Sequence, residues 1–349
     1  MSHMEITNRQ LGWKPFFQNQ ITLDELDICF PARISKIYRT RVVIWSESGK
    51  QDVDIGLFSE IRNIAVGDWL LMPHNDERPL RILERQSELR RKAAGNRVER
   101  QLIASNVDTL FIVTSCNQDF NESRIERFLV LAAEANIRPV IVLTKADLVD
   151  DPEQFKTTAK ELYQNIDIEY VDARTPDSVE PLKRWCGEGE TVVLVGSSGV
   201  GKSTLINSLA DAQQKTLNIR EDDDKGRHAT TSRSLHLLKG GGLFIDTPGI
   251  RELQLTESEK GIEDTFDDVV RYFGQCKFRN CQHTVEQGCA ILAAIDAKEL
   301  DIRRWHSYLK LQEEQKNINK TLAERRDADH KLGKFYKSEK KLVKRRKKR

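Results

Sequence analysis

Thr191-Val192-Val193-Leu194-Val195-Gly196-Ser197-Ser198-Gly199-Val200-Gly201-Lys202-Ser203-Thr204-Leu205-Ile206 decides the fold. An apolar run, Thr191–Val195, ends in a glycine-rich loop, and a helical pattern opens near Thr204. Gly196 to Ser203 match the phosphate-binding P-loop in full, and a strand before it with a helix after it is the context the motif requires. The glycines let backbone N–H groups wrap phosphate oxygens at a helix N-terminus, where the peptide dipoles favour negative charge. In that geometry Lys202 bridges the β- and γ-phosphates and Ser203 ligates Mg2+. Ser197, Ser198, Gly199, Val200, Gly201 and Thr204 complete the phosphate-side candidates.

Working outward, further apolar runs stand at Thr109–Val113, Val140–Leu143 and Leu243–Ile245. Runs of this kind fit strands of a parallel sheet buried on both faces, so residues 105–262 are read as an α/β domain. Two of the runs end in motifs. Asp246-Thr247-Pro248-Gly249 follows Leu243–Ile245, with Asp246 placed to hold Mg2+ through water and the Gly249 amide placed to sense the γ-phosphate. Thr144-Lys145-Ala146-Asp147 follows Val140–Leu143. A carboxylate there accepts hydrogen bonds from guanine N1–H and the exocyclic amine together. Adenine lacks that pair of donors and would leave the acid unsatisfied. The three motifs together predict GTP rather than ATP. The loop Val171-Asp172-Ala173 is the candidate for a backbone contact to guanine O6.

The order of the motifs is informative. In ordinary G proteins the P-loop precedes the guanine motif, whereas here Asp147 precedes Gly196. Because such loops all sit at the carboxyl ends of strands in one sheet, joining the old termini and cutting elsewhere leaves the site intact. The join is placed at Trp185–Glu190, and the segment after Gly249 then runs straight into the C-terminal region. Between the P-loop helix and Asp246 lies a polar, aperiodic stretch, Ala212 to Ser232, of the length that is usually functional. Thr230, with Thr231 as the alternative, is the candidate to complete the Mg2+ shell. Ile250 stands where many GTPases carry a water-orienting Gln, so hydrolysis needs another group. His228 is the nearest titratable candidate, although a lone histidine is more often an ordinary surface residue.

Cys276, Cys281, His283 and Cys289 offer three thiolates and an imidazole within 14 residues. That donor set makes a closed tetrahedral Zn2+ site with no position for a catalytic water, hence a structural metal. Six cysteines, with three in this stretch, suit a reducing compartment better than a disulfide framework. No run of about 18 apolar residues exists to span a bilayer, and no secretory signal is visible. The net charge of +2 is asymmetric: Lys331 to Arg349 hold 11 Lys/Arg against Glu339, which is +10, so the rest carries 2 − 10 = −8. A dense basic tail suggests an anionic partner, nucleic acid first. Phe335 and Tyr336 lie among the tail's lysines, where rings suit unpaired bases; an apolar anchor on the protein body is the alternative for Phe335. Residues 30–85 read as short strands separated by turn signals at Ser48-Gly49 and Gly67-Asp68, a small barrel of the OB or SH3 kind.

The permuted order, Gly226-Arg227-His228-Ala229-Thr230-Thr231, Asp246-Thr247-Pro248-Gly249-Ile250 and Cys276-Lys277-Phe278-Arg279-Asn280-Cys281-Gln282-His283 resemble the bacterial small-subunit-dependent ribosome-biogenesis GTPases, the RsgA or YjeQ family. The resemblance covers nearly the whole chain. It implies an N-terminal extension (1–29), an OB-fold barrel (30–88), a basic connector (89–104), the permuted GTPase domain (105–262), a mainly helical zinc-binding domain (263–330) and a basic tail (331–349). It implies a cytoplasmic, monomeric assembly factor that binds the 30S subunit and 16S rRNA, and whose GTP hydrolysis to GDP is stimulated by the subunit and coupled to release. Its cofactors would be one structural Zn2+ and Mg2+ with GTP. Two positions depart from the family pattern: Thr144 stands for the more usual Asn, and Ala229 replaces the first of three threonines.

Overall fold

A computed structural model of the chain describes residues 6–58, 63–92, 100–163, 165–210, 233–238, 240–247 and 259–316. It divides into two compact units, Met1–Arg91 with Arg100–Gln254, and Lys92–Glu99 with Leu255–Arg349.

The first unit opens with two short helices, α1 (Pro15–Gln18) and α2 (Leu23–Ile28). Pro15 starts α1, where a missing N–H is no loss, and Thr22 with Glu25 forms a reciprocal capping box on α2. This N-terminal stretch is packed: Leu11 and Phe17 are buried with Trp69 and Leu83, and Trp13 meets Trp69 edge-on at 4.8 Å. Five strands follow: β1 (Cys29–Ile37), β2 (Arg41–Ser46), β3 (Gly49–Asp54), β4 (Trp69–Pro73) and β5 (Arg81–Ile82). β1 pairs with β2 on one edge and, through its first half, with β4 on the other. Its register with β2 shifts between Ile34 and Lys36, an irregularity that bends a strand. The set encloses its own apolar core, including Ile34, Val42, Ile44, Val53, Leu70 and Met72. The basic stretch that follows carries β6 (Glu88–Lys92) and β7 (Arg100–Ser105), which pair with each other.

Six strands build the α/β part: β8 (Thr109–Ser115), β9 (Arg138–Thr144), β10 (Asp167–Val171), β11 (Thr191–Val195), β12 (Ser234–Leu237) and β13 (Leu243–Asp246). Their order is β10-β9-β8-β11-β13-β12, parallel except for β12. The expected α/β class holds, and every residue of β8 and β11 is buried because both faces are covered. Helices α3 (Glu122–Ala135) and α4 (Pro152–Leu162) cover one face, where Leu110 and Ile112 meet Phe128, Leu131 and Ala159. The alternate residues Phe111 and Val113 face Leu205 and Ile206 of α5 (Lys202–Leu209) and Leu182 of the helical stretch Pro176–Trp185. The carboxyl ends of β9, β11 and β13 therefore share one edge, where open α/β sheets take ligands.

The strand module and the α/β sheet are one body within this unit. β1 meets β12 with Lys36 opposite Ser234. Arg33, on β1, is 1% exposed and donates Nε to Gly67 O at 3.1 Å, Nη1 to Leu11 O at 2.7 Å and Thr191 Oγ1 at 2.9 Å, and Nη2 to Asn106 O at 2.9 Å. Burial pulls its pKa down to about 10, with Asp108 and Asp68 acting the other way, so it stays a cation at neutral pH. Beside it Lys14 Nζ bridges Asp108 at 2.6 Å and Glu190 at 3.2 Å.

In the second unit, α6 (Glu259–Thr265), α7 (Asp267–Val270), α8 (Ala290–Asp296) and a helix over 302–316 bury Ile262, Phe266, Val269, Ile291 and Leu311. Arg304 grips Asp268 with Nε at 3.0 Å and Nη2 at 2.6 Å and lies over the Phe266 ring. Among the described residues no helix is long and apolar enough to cross a membrane.

Arg33→Ala removes the buried donor shared by four acceptors, of which Gly67 O keeps another, from Asn106 Nδ2, and opens a void. It is expected to cost about 3–5 kcal/mol, seen as a lower urea midpoint. An unchanged midpoint would show that the guanidinium does not join these segments.

Candidate functional site

The glycine-rich loop leaves β11 in a conformation that glycine alone serves. At Gly196 φ is 146°, and a Cβ there would stand 2.2 Å from Val113 O, so the loop presses its backbone against β8. Gly201, at φ 98°, is the left-handed residue just before α5, which leaves the first N–H groups of that helix open toward the loop. Lys202 Nζ donates to Gly196 O at 2.9 Å and also to Ser197 O, holding the ammonium over the loop. Ser198, Gly199, Ser203 and Thr204 are exposed around it, whereas Val200 is buried.

Thr144 ends β9 and is 1% exposed. Its hydroxyl donates to Val200 O at 2.6 Å and lies 3.3 Å from Thr114 O. The position that departs from the usual Asn thus still ties the base-side loop to the phosphate loop. Lys145, in the left-handed region at φ 58°, turns the chain into Ala146–Leu148, which carries Asp147. The loop after β10 comes to the same place: Asp147 and Asp172 both accept from Arg174, and Ala173 O accepts from Ser208 Oγ of α5. The base-side loops are therefore fastened to both ends of α5, at Val200 before it and at Ser208 near its close.

Asp246 closes β13, which runs parallel to β11 with Leu243 opposite Thr191, so this carboxylate and Gly196 lie at the same edge. Gly249, His228 and Thr230, with Thr231 and Ile250, lie outside the described residues. Three residues that sequence reasoning passed over belong to the site. Asp119, in the loop after β8, accepts from Ser197 Oγ at 2.6 Å and pairs with Arg124 at 2.8 Å. Arg174 is the third. Its place directly after Asp172-Ala173 was an available signal, whereas Asp119 had none, since it sits 78 residues away from Ser197.

In the second unit the ligand atoms of Cys276, Cys281, His283 and Cys289 all lie within 4.8 Å of one another. Cys276 Sγ is 3.9 Å from Cys289 Sγ, and His283 Nδ1 is 3.5 and 3.3 Å from the two sulfurs. Ordinary Zn–S and Zn–N lengths in a tetrahedron require S···S of about 3.8 Å and S···N of about 3.6 Å, so the residues fit the metal. The knuckle is shaped by Glu286, which accepts from the Gln282, Thr284 and Val285 amides; these bonds hold its pKa down to about 2. Phe273 stacks on the His283 ring at 5.5 Å, and Trp305 meets it edge-on at 5.7 Å, fixing the imidazole.

A P-loop, a guanine-type motif and their reversed chain order on one parallel sheet define a circularly permuted P-loop GTPase. Residues 82–256 match the family model described as RsgA GTPase, and residues 191–328 match one described as 50S ribosome-binding GTPase. The chain is 48% identical over 328 residues to the small ribosomal subunit biogenesis GTPase RsgA 2 of Vibrio parahaemolyticus, covering 94% of this chain and 91% of that one. Two crystal structures share the fold. YjeQ from Thermotoga maritima matches with a TM-score of 0.60 at 23% identity, over 82% of this chain and 99% of that one. YloQ, titled a circularly permuted GTPase, matches at 0.59 and 24%, over 83% and 96%. The chain belongs to the RsgA GTPase family and is a GTP hydrolase.

Thr144→Val keeps the shape and removes the donor, so GDP affinity is expected to fall about tenfold in a fluorescent-nucleotide titration, with Thr144→Asn retaining it. Wild-type affinity in the valine variant would mean the bond is dispensable. The purified chain is expected to carry about one zinc ion, and Cys281→Ser is expected to lose most of it by atomic absorption. A metal-free wild-type protein of unchanged thermal stability would count against the site.

Proposed function

We propose that this GTPase acts on the small ribosomal subunit, binding the 30S particle through 16S rRNA and assisting its late maturation. Subunit-stimulated hydrolysis of GTP to GDP and phosphate is coupled to release. The observation that carries this reading is the full-length likeness, 48% over 94% of the chain, to a relative whose name states small-subunit biogenesis. The match to the 50S-binding description begins at β11 and so omits the strand module and the base-side loops.

In this reading the phosphate groups lie on Gly196–Ser203, with Lys202 on the β- and γ-phosphates and Thr204 beside them. Thr144, Lys145, Ala146, Asp147, Asp172 and Ala173 form the base side, and Asp147 reads the guanine edge. Mg2+, held by Ser203, Asp246 and Thr230, would neutralise charge on the phosphates. Gly249 senses the γ-phosphate, and His228 orients or activates the attacking water. Zn2+ on Cys276, Cys281, His283 and Cys289 would hold the C-terminal knuckle rigid. Domain limits follow the sequence reading, with 30–88 as an OB-fold barrel and 263–330 as the zinc domain.

Cations and rings on the strand module support an RNA partner. Tyr38 lies between Lys36 Nζ at 4.8 Å and the Arg41 guanidinium at 4.6 Å, and Lys50 Nζ stands 4.1 Å from the Trp45 ring centre. Rings beside cations suit unpaired bases next to phosphates, and the basic tail adds counter-charge. The working state is a cytoplasmic monomer.

The test is steady-state GTP turnover with and without purified 30S particles. We expect at least about tenfold stimulation by 30S, and little by 50S particles or naked tRNA. Equal stimulation by tRNA or 50S would overturn the partner. His228→Ala is expected to lower the stimulated rate about a hundredfold with GDP binding intact; unchanged turnover would remove the histidine from the chemistry.

A further inference from the structure

The loop carrying Asp172 and Ala173 brings a cation to the base end of the site that none of the motifs includes. Arg174 donates Nε to Asp172 Oδ1 at 3.0 Å and Nη2 to Asp172 Oδ2 at 3.3 Å, and the same Nη2 donates to Asp147 Oδ2. Asp172 is itself held in place: Oδ1 accepts from the Arg174 amide at 3.1 Å and Oδ2 from the Thr175 hydroxyl at 3.0 Å. Its own amide donates to Ser178 Oγ at 2.7 Å. The guanidinium therefore rests on a fixed anchor and projects one N–H onto the neighbouring acid.

A lone exposed ion pair contributes little, and the Arg174 side chain is 64% exposed. The arrangement here differs in two respects. The guanidinium is gripped by two carboxylates at once, so its side-chain entropy is already spent on Asp172 before it meets Asp147. Without it, moreover, two carboxylates would face the same point with no counter-charge between them and would push each other out of place. An acid that must be correctly turned to accept from guanine cannot tolerate that.

We propose that Arg174 is the positioning residue for base recognition: anchored on Asp172, it occupies one lone pair of Asp147 Oδ2 and so fixes the plane of the carboxylate that reads guanine. A carboxylate offers about four lone-pair positions, so the arginine and the two guanine donors fit on it together. The guanidinium does not touch the nucleotide; it acts through Asp147. The inference rests on the reading of Asp147 as the guanine-reading acid.

The test uses the full chain and titrates GDP, inosine diphosphate and ADP into wild type, Arg174→Ala and Asp147→Ala. Inosine diphosphate keeps N1–H and lacks the exocyclic amine, so the ratio of GDP to inosine diphosphate affinity reads how the acid is aimed. Mere loss of loop support would weaken all three nucleotides alike. Arg174→Ala is expected to lower GDP affinity about tenfold and to shrink the GDP-to-inosine ratio, with ADP binding unchanged. Wild-type ratios in Arg174→Ala, or equal losses on all three nucleotides, would overturn the proposal. The underlying reading has its own readout: if Asp147→Ala keeps the GDP-over-ADP preference, the guanine assignment falls, whatever Arg174 does.

Discussion

The hydrogen bond from the Thr144 hydroxyl to Val200 O, 2.6 Å long between residues 56 positions apart, is the contact on which the site depends. In the proposed reading, a loop that reads the base and a loop that holds the phosphates are useful only if they are held at a fixed separation. Both partners here are buried, so the donor has no water to fall back on and the acceptor no alternative of equal strength. The same hydroxyl lies near Thr114 O, and the amide of Cys116 donates to Thr144 O at 2.9 Å. β9, β8 and the phosphate loop are thereby locked at one point. None of these bonds depends on which segment is synthesised first. That is why a chain with its motifs in reversed order can assemble the same edge of the same sheet.

The close approach at Gly196 enforces the second dimension of this arrangement. The loop can reach its place over α5 only by running against the β8 backbone, where any side chain would collide with Val113 O. Glycine at this position is therefore a packing requirement between two neighbouring strands as much as a means of exposing N–H groups to phosphate. Arg33 plays a comparable part at the far side of the sheet. It satisfies carbonyls of Leu11, Gly67 and Asn106 and the Thr191 hydroxyl with a single planar group, and Thr191 is the first residue of β11. The strand that delivers the phosphate loop is fixed at its start by a cation and at its end by a glycine.

Sequence made the buried strands legible because burial on both faces leaves an uninterrupted apolar run, as in Thr109–Val113, Val140–Leu143 and Val192–Val195. Strands covered on only part of their surface lose that signal. β10 reads Asp-Ile-Glu-Tyr-Val and β12 reads Ser-Leu-His-Leu, each half covered, and neither stands out from a loop. β1 gives a weak signal for another reason: Pro31 breaks its pattern, and Arg33 looks like a surface charge although it is buried. The N-terminal aromatics Trp13 and Phe17 lie in a polar stretch with no period, and only the tertiary cluster around Trp69 explains them. In the site, fixed-spacing motifs were readable since backbone geometry dictates them. Asp119 was not, because its role comes from a contact made by its side chain across the sheet edge to Ser197, 78 residues away, whereas Arg174 could have been found from its place directly after Asp172-Ala173.

The Cys3His knuckle shows why its spacing was as readable as the P-loop. Four ligands must converge to within a few ångströms, and a short segment can do this only by turning sharply between them. Residues 276–289 contain that turn chemistry: His283 lies in the left-handed region at φ 58°, Gly288 at φ 79°, and Glu286 gathers the amides of Gln282, Thr284 and Val285. Lys277 N then donates to Gly288 O at 2.9 Å, so the backbone closes the knuckle independently of the side chains. What this segment lacks is an apolar interior, as Phe278 and Val285 are exposed and the rings packed on His283 are the partly exposed Phe273 and the buried Trp305. A knuckle with so little burial needs a bond stronger than packing, and a tetrahedral thiolate–imidazole centre is the one its donors can form.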